Sequence, residues 1–201
     1  MLLEPPSSKR GFKKEGLLRV LLNNPDGSLT KRQLGREVET SHAWAVKFTN
    51  QLADEGLIEG TRVLDPRGVY DYWREVRISP SKVTVSLQSP VEAIREFGAE
   101  HAFTTYRAEN AHQGFLFTSN TAVYVRPDDA AEWNAFIEEN GLVGGGNTEF
   151  RIADYGVFYN AETVSGIRIV SVPQLIVDLL AEGGPCEEAA DRLIERFHER
   201  H

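Results

Sequence analysis

Three consecutive segments decide how this chain folds: GLLRVLLNN (Gly16–Asn24), PDGSLTKRQLGREVET (Pro25–Thr40) and SHAWAVKFTNQLADEGLIEGTRVL (Ser41–Leu64). In the first, Leu17, Leu18, Leu21 and Leu22 make an apolar helical stripe, and Asn23-Asn24-Pro25-Asp26-Gly27 supplies the turn residues that stop it. In the second, Thr30 and Gln33 stand at the spacing of a capping box, which predicts a helix with Leu34 and Val38 facing inward. In the third, Thr40-Ser41 caps a helix whose buried side carries Trp44 or Ala45, then Phe48 and Leu52. Gly56 closes that helix, because a residue without a Cβ accepts the left-handed backbone of a helix end, and a hairpin follows around Gly60-Thr61.

Helix, capped helix, helix and hairpin is the order of a winged helix-turn-helix, a module that lays its third helix in the major groove of DNA. With Ala45, Phe48 and Leu52 fixing the buried side, the opposite side presents His42, Ala43, Val46, Lys47 and Asn50. Asparagine pairs bidentately with adenine, and lysine reaches guanine or phosphate. Thr40 and Ser41 stand at the helix N-terminus, where hydroxyls and amide N–H groups hold phosphate. Arg32 and Arg36 on the second helix and Arg62 in the hairpin are placed to hold the DNA backbone, together with a loose basic arm up to Lys14. The alternative is a winged helix that serves as a protein-interaction or ligand-sensing surface and never meets DNA.

Composition fits a soluble globular chain: 201 residues, 41% hydrophobic and 26% charged. The longest apolar runs, such as 171–181, are too short to cross a bilayer, and prolines stand where a signal peptide would be apolar. A cytoplasmic protein without membrane association is the expectation. One cysteine, Cys186, excludes an internal disulfide and a multi-cysteine zinc site. The net charge of −8 divides unevenly, with 14 Lys+Arg against 11 Asp+Glu in residues 1–82 and 8 against 19 in residues 83–201. DNA contact is therefore expected on the first part alone.

An α+β protein is expected, with a winged helix in residues 1–80 and a mixed α/β domain in 81–201. Asp65-Pro66 starts a helix to Arg77 with Val69, Trp73 and Val76 at helical spacing, although Asp65–Gly68 also suits a type I turn. Val83, Val85 and Leu87 alternate as a strand, and Ser89–Glu92 has capping-box spacing before a helix that Gly98 ends. Phe103–Gln113 and Asp129–Glu139 are predicted helices, and strands are expected within Phe115–Arg126 and near Glu149–Ile152, Gly156–Tyr159 and Ile167–Val170. Helices at Pro173–Ala181 and Glu187–Glu199 follow.

The second part offers little chemistry. Gly144-Gly145-Gly146 lacks the Lys-Ser/Thr of a phosphate loop and reads as a flexible connection. The histidines show no metal-ligand spacing, Cys186 has no evident His partner, and Asp128-Asp129 reads as a cap of the next helix. Asp178 interrupts an apolar helix and so calls for a partner, Arg168 or Arg192. An enzyme using Asp128, Asp129 and Asp178 would need a divalent metal. No catalytic activity, cofactor or metal is expected.

Across most of its 201 residues the chain resembles the AbiEi-type antitoxin and transcriptional regulator family of type IV toxin–antitoxin systems. Outside the generic winged helix, AFTTYRAENAHQ (Ala102–Gln113) with TAVYVRPDD (Thr121–Asp129) is similar to the family's helix-then-strand segment. VSVPQLIVDLLAEGGPCEEAADRLIER (Val170–Arg196) is similar to its C-terminal segment, an Asp-Leu helix followed by a Glu-Ala-Ala helix. The resemblance implies an autorepressor that binds double-stranded operator DNA, with a homodimer as one arrangement open to it. It also implies functional pairing with a nucleotidyltransferase-like toxin without a stable complex.

Overall fold

A computed structural model describes residues 2–5, 10–117 and 120–198. They fall into two compact units: Ser8–Ile78 with Val172–His201, and Met1–Ser7 with Ser79–Ser171. The chain therefore leaves its first unit at residue 78 and returns to it at 172. The expected boundary near residue 80 falls close to one crossing, but the last thirty residues belong with the N-terminal helices rather than with the sheet. Reassigning them changes the charge of the units. The helical unit holds 16 Lys+Arg against 17 Asp+Glu, and the sheet unit 6 against 13.

The helical unit opens with α1 (Arg10–Asn23), α2 (Lys31–Glu37) and α3 (His42–Asp54), continues through a hairpin of β1 (Ile58–Glu59) and β2 (Arg62–Val63), and reaches α4 (Pro66–Val76). The Thr30–Gln33 capping box is formed in both directions. Gly60-Thr61 is the two-residue turn between β1 and β2. Asp65 caps α4 by accepting from the Gly68 amide at 2.9 Å, so the helix prevails over the turn. Leu17, Leu18, Leu21, Leu22, Leu34, Ala45 and Leu52 are almost wholly buried.

Within the sheet unit come β3 (Ser81–Ser86), α5 (Pro90–Phe97), β4 (His101–Thr104), α6 (Thr105–His112), β5 (Thr121–Val125), α7 (Ala130–Asn140), β6 (Leu142–Val143), β7 (Thr148–Ile152), β8 (Glu162–Val164) and β9 (Ile167–Ile169). The seven strands form one mixed sheet in the order β6-β3-β7-β5-β4-β9-β8. Its register lines up Val83, Phe150, Val123, Phe103 and Ile169 in one buried row across five strands. Trp133 and Phe136 of α7 pack their rings against Phe150 at 5.5 and 6.2 Å, and Phe97 of α5 packs on both. The other side of β5 and β7 carries Tyr124 under the buried Arg151 guanidinium, 5.9 Å from the ring.

Several local expectations are corrected. The helix expected from Phe103 is a strand to Thr104, with α6 beginning at Thr105. Gly156–Tyr159 is not a strand; a 3-10 turn occupies Tyr155–Phe158. Ser89 adopts a left-handed backbone (φ 45°) with no side-chain cap, so no capping box forms there. Asp129 likewise starts α7 without a side-chain cap. Gly146 is more than a flexible link: at φ 149° its position would set a Cβ 2.3 Å from the Ser86 amide nitrogen, which only glycine avoids. The N-terminal segment is not a loose arm throughout. Leu3 is fully buried, its N–H donates to Asn134 Oδ1 at 2.8 Å, and its carbonyl accepts from Asn134 Nδ2 at 3.2 Å.

α8 (Val172–Glu182) and α9 (Pro185–His198) complete the helical unit, α8 packing on α1 and α4. Asp178 is fully buried and takes its bonds from Arg77 of α4's C-terminal cap and from Gln174 at 2.9 Å, not from Arg168 or Arg192. Arg168 belongs to the sheet unit, where it pairs with Glu100 at 2.8 Å, and Arg192 pairs with Glu188 within α9. Removing one member of a buried pair strands the other charge, at a cost of about 3–5 kcal/mol. Asp178→Ala is therefore expected to lower the unfolding free energy of the helical unit by about that amount. Urea unfolding followed by circular dichroism measures it; a loss under about 1 kcal/mol would place the pair among weak surface contacts.

Candidate nucleic-acid interface

α3 carries the face of interest, and its orientation is fixed from behind. Ala45, Phe48, Thr49 and Leu52 are buried, so Ala45 rather than Trp44 occupies the inward position. Trp44 stays half-buried, stacked on Phe48 with centroids 5.5 Å apart and planes 9° from parallel. Thr49 points its hydroxyl back to the Ala45 carbonyl at 2.9 Å, which lets a polar residue sit on the buried side. His42, Ala43, Lys47 and Asn50 are exposed on the other side, with Val46 half-buried between them.

The approach from α2 to α3 is tight. Glu39 takes a positive φ of 51°, the Thr40 amide bonds to the Gly35 carbonyl at 2.8 Å, and Ser41 caps α3 through the Trp44 amide at 3.2 Å. A Cβ on Gly35 would come within 3.3 Å of the Ala45 Cβ, so the small pair Gly35/Ala45 sets how close the helices lie. Lys13 donates to the Val38 carbonyl at 2.7 Å, closing the C-terminal end of α2. That lysine of the expected phosphate arm is therefore engaged within the fold, and Lys9 lies outside the described residues.

Arg32 and Arg36 are exposed on α2, and Arg62 is exposed on β2 beside it in sequence to the turn. The backbones of Arg62 and Asp26 pair antiparallel and the Val63 amide donates to the Pro25 carbonyl at 2.9 Å, so the α1–α2 connection runs alongside β2. The Thr61 hydroxyl ties the turn to the Leu29 carbonyl at 2.5 Å. Among the described residues, Arg32, Arg36, Lys47 and Arg62 form no ion pair. Arg67 and Arg74, by contrast, face α9 and pair with Asp191 and Glu187. The acidic C-terminal helix thus occupies Arg67 and Arg74 of α4 and leaves Arg32, Arg36, Lys47 and Arg62 outside any ion pair.

Lys31 escaped the sequence reading. Its ammonium donates to Asn50 Oδ1 at 2.7 Å, so the amide oxygen a base would need is already taken. The contact joins the first turn of α2 to the third turn of α3, a spacing of nineteen residues with no periodicity to reveal it. Gln51 donates to the Tyr72 hydroxyl at 3.2 Å. Burial, and next the charge of Glu55, raise the Tyr72 phenol above its usual range, so it remains a neutral partner there.

Among the described residues, no group of three His, Cys, Asp or Glu side chains could hold a metal ion, and no helix is long and apolar enough to cross a membrane. Comparison with protein-family models, curated proteins and solved structures found no match.

Overpacking a tight helix contact costs about 1–3 kcal/mol. Gly35→Val is expected to lower stability by about that much and to displace α3, seen as a shift in the tryptophan emission to which Trp44 contributes, together with an earlier urea midpoint. An unchanged midpoint and emission would show that the two helices are not held by this contact.

Proposed function

We propose that α1–α3 with the β1–β2 hairpin are a winged helix-turn-helix and that the protein is a cytoplasmic, sequence-specific DNA-binding transcriptional regulator without catalytic activity. The observation that carries this reading is the exposed α3 face of His42, Lys47 and Asn50, flanked by the uncommitted Arg32, Arg36 and Arg62. Lys47 and Asn50 lie near one turn apart on one side, a spacing suited to adjacent base edges. Thr40 and Ser41 supply the α3 N-terminus for one phosphate, and the arginines grip the backbone. Pairing of Pro25–Asp26 with β2 braces the hairpin as a wing requires. Net charge gives no help, since the helical unit is close to neutral; the distribution of its cations does.

Lys31 fits the same picture as a switchable contact. On meeting DNA it would exchange Asn50 for a phosphate and free the amide for bidentate pairing. The resemblance noted in Ala102–Gln113, Thr121–Asp129 and Val170–Arg196 extends the proposal to an antitoxin-like autorepressor, acting on its own operator and countering a nucleotidyltransferase-like toxin without a stable complex. A homodimer on a two-fold operator suits this role. An enzyme built on Asp128, Asp129 and Asp178 loses support, since Asp178 is buried in its bonds to Arg77 and Gln174.

One observation favours a second reading, a protein-interaction surface: the half-buried Trp44, stacked on Phe48, borders the same face, and such aromatics anchor protein interfaces. Salt separates the two. Binding to duplex DNA from upstream of the gene, titrated against random duplex, is expected to be preferential and to weaken steeply between about 50 and 200 mM salt. Lys47→Ala and Asn50→Ala should each cost about 1–3 kcal/mol if their base contacts are bidentate, Asn50→Ala with relaxed base preference. Lys31→Ala should weaken all sequences alike and lower the salt slope by about 1. Equal or absent binding to both duplexes would overturn the regulator reading.

A further inference from the structure

The sheet unit carries a second surface that DNA binding does not use. α5 and α7 lie side by side over the sheet, each already spending one stripe of side chains on the core: Ile94 from α5, and Trp133 and Ile137 from α7. A second stripe from each lines an open groove of about 510 Å³ on the outer side. Its floor is formed by the exposed Ala135, the half-buried Phe97 and the edge of Phe136, a largely buried ring that also belongs to the core, with the Phe97 and Phe136 centroids 4.7 Å apart. Glu96, Glu132 and Glu139 stand around it. The spacings 132, 135, 136, 139 on α7 and 96, 97 on α5 put carboxylates and apolar carbons on one helical face, where a solvated helix would carry mixed charge.

Among the described residues, no cation pairs with Glu96, Glu132 or Glu139, and the whole unit holds 6 Lys+Arg against 13 Asp+Glu. Three carboxylates of one sign around an apolar floor repel one another and attract a cationic occupant. The same sign argues against a second copy of this acidic unit as the occupant. A groove lined by residues of two helices suits a helix laid along it with one apolar side chain on the floor.

We propose that this groove docks a basic amphipathic helix of a partner protein, its apolar stripe on Phe97, Ala135 and Phe136 and its Lys or Arg residues against Glu96, Glu132 and Glu139. This surface is independent of the DNA-reading assignment, and its test succeeds or fails without it. The fit is one of charge and shape: each carboxylate contributes a small, salt-sensitive attraction, and the apolar contact selects helices over unstructured basic chains.

The test uses the full chain and a fluorescently labelled 14-residue Leu/Lys amphipathic helix, with a scrambled peptide of identical composition as control. The amphipathic peptide is expected to bind at least about fivefold more tightly than the scrambled one at physiological salt, an increment that one buried apolar side chain supplies. Ala135→Arg, an exposed change that fills and recharges the groove, should abolish that preference while leaving the thermal midpoint in place. The combined Glu96→Gln, Glu132→Gln and Glu139→Gln variant should weaken binding about tenfold. Equal binding of both peptides, or unchanged binding by Ala135→Arg, would overturn the proposal. So would sedimentation showing a wild-type dimer that Ala135→Arg converts to monomer, because the occupant would then be a second copy.

Discussion

The buried carboxylate of Asp178 is the constraint on which the helical unit rests. A charge at zero exposure costs several kcal/mol unless it is paired and its remaining lone pairs are filled. Arg77 and Gln174 supply that pairing, Gln174 in turn accepts from Arg19 Nε at 2.8 Å, and the Arg19 guanidinium lies 5.4 Å from the Trp73 ring. The Trp73 indole N–H reaches Glu15 at 2.9 Å, and Glu15 also takes the Ile78 amide at 2.8 Å. One connected set of polar groups therefore fixes α1, α4 and α8 to one another. A network of this kind tolerates a single arrangement, since any slip leaves a buried donor or acceptor unfilled.

That arrangement has a consequence for α3. α1 packs on α2, which in turn packs on α3, and α1 is also held by α4 and α8. Residues far along the chain thus support a helix near its start. α9 adds an electrostatic division: Asp191 and Glu187 engage Arg67 and Arg74, while Lys47, Arg32, Arg36 and Arg62 form no ion pair among the described residues. A near-neutral unit can in this way present a cationic side, which a whole-chain net charge of −8 conceals.

The sheet unit solves a different problem, that of covering a seven-stranded sheet whose central strand is buried along its whole length. Parallel pairing of β5 with β7 and of β4 with β9 requires crossovers, which α6 and α7 help to span. The row from Val83 to Ile169 meets the aromatic cluster of Phe97, Trp133 and Phe136, and Gly146 lets the chain pass against β3 where any Cβ would collide. The surface left on α5 and α7 carries Glu96, Glu132 and Glu139, none of which forms an ion pair among the described residues.

Sequence alone determined what depends on near neighbours. The Thr30–Gln33 box, the Ser41 cap, the Asp65-Pro66 start of α4, the Gly60-Thr61 turn and the exposed positions His42, Lys47 and Asn50 follow from spacings of a few residues, which the backbone geometry of a helix or turn converts directly into contacts. It misplaced Phe103, since a four-residue strand running straight into a helix has too few residues for either period to dominate. Only tertiary structure decided the partner of Asp178, the return of α8 and α9 to the first unit, the Lys31–Asn50 bond and the grip of Asn134 on Leu3. Each of these joins residues 19 to 131 positions apart, and a charge or amide finds such a partner by packing of whole elements, for which the local pattern carries no signal.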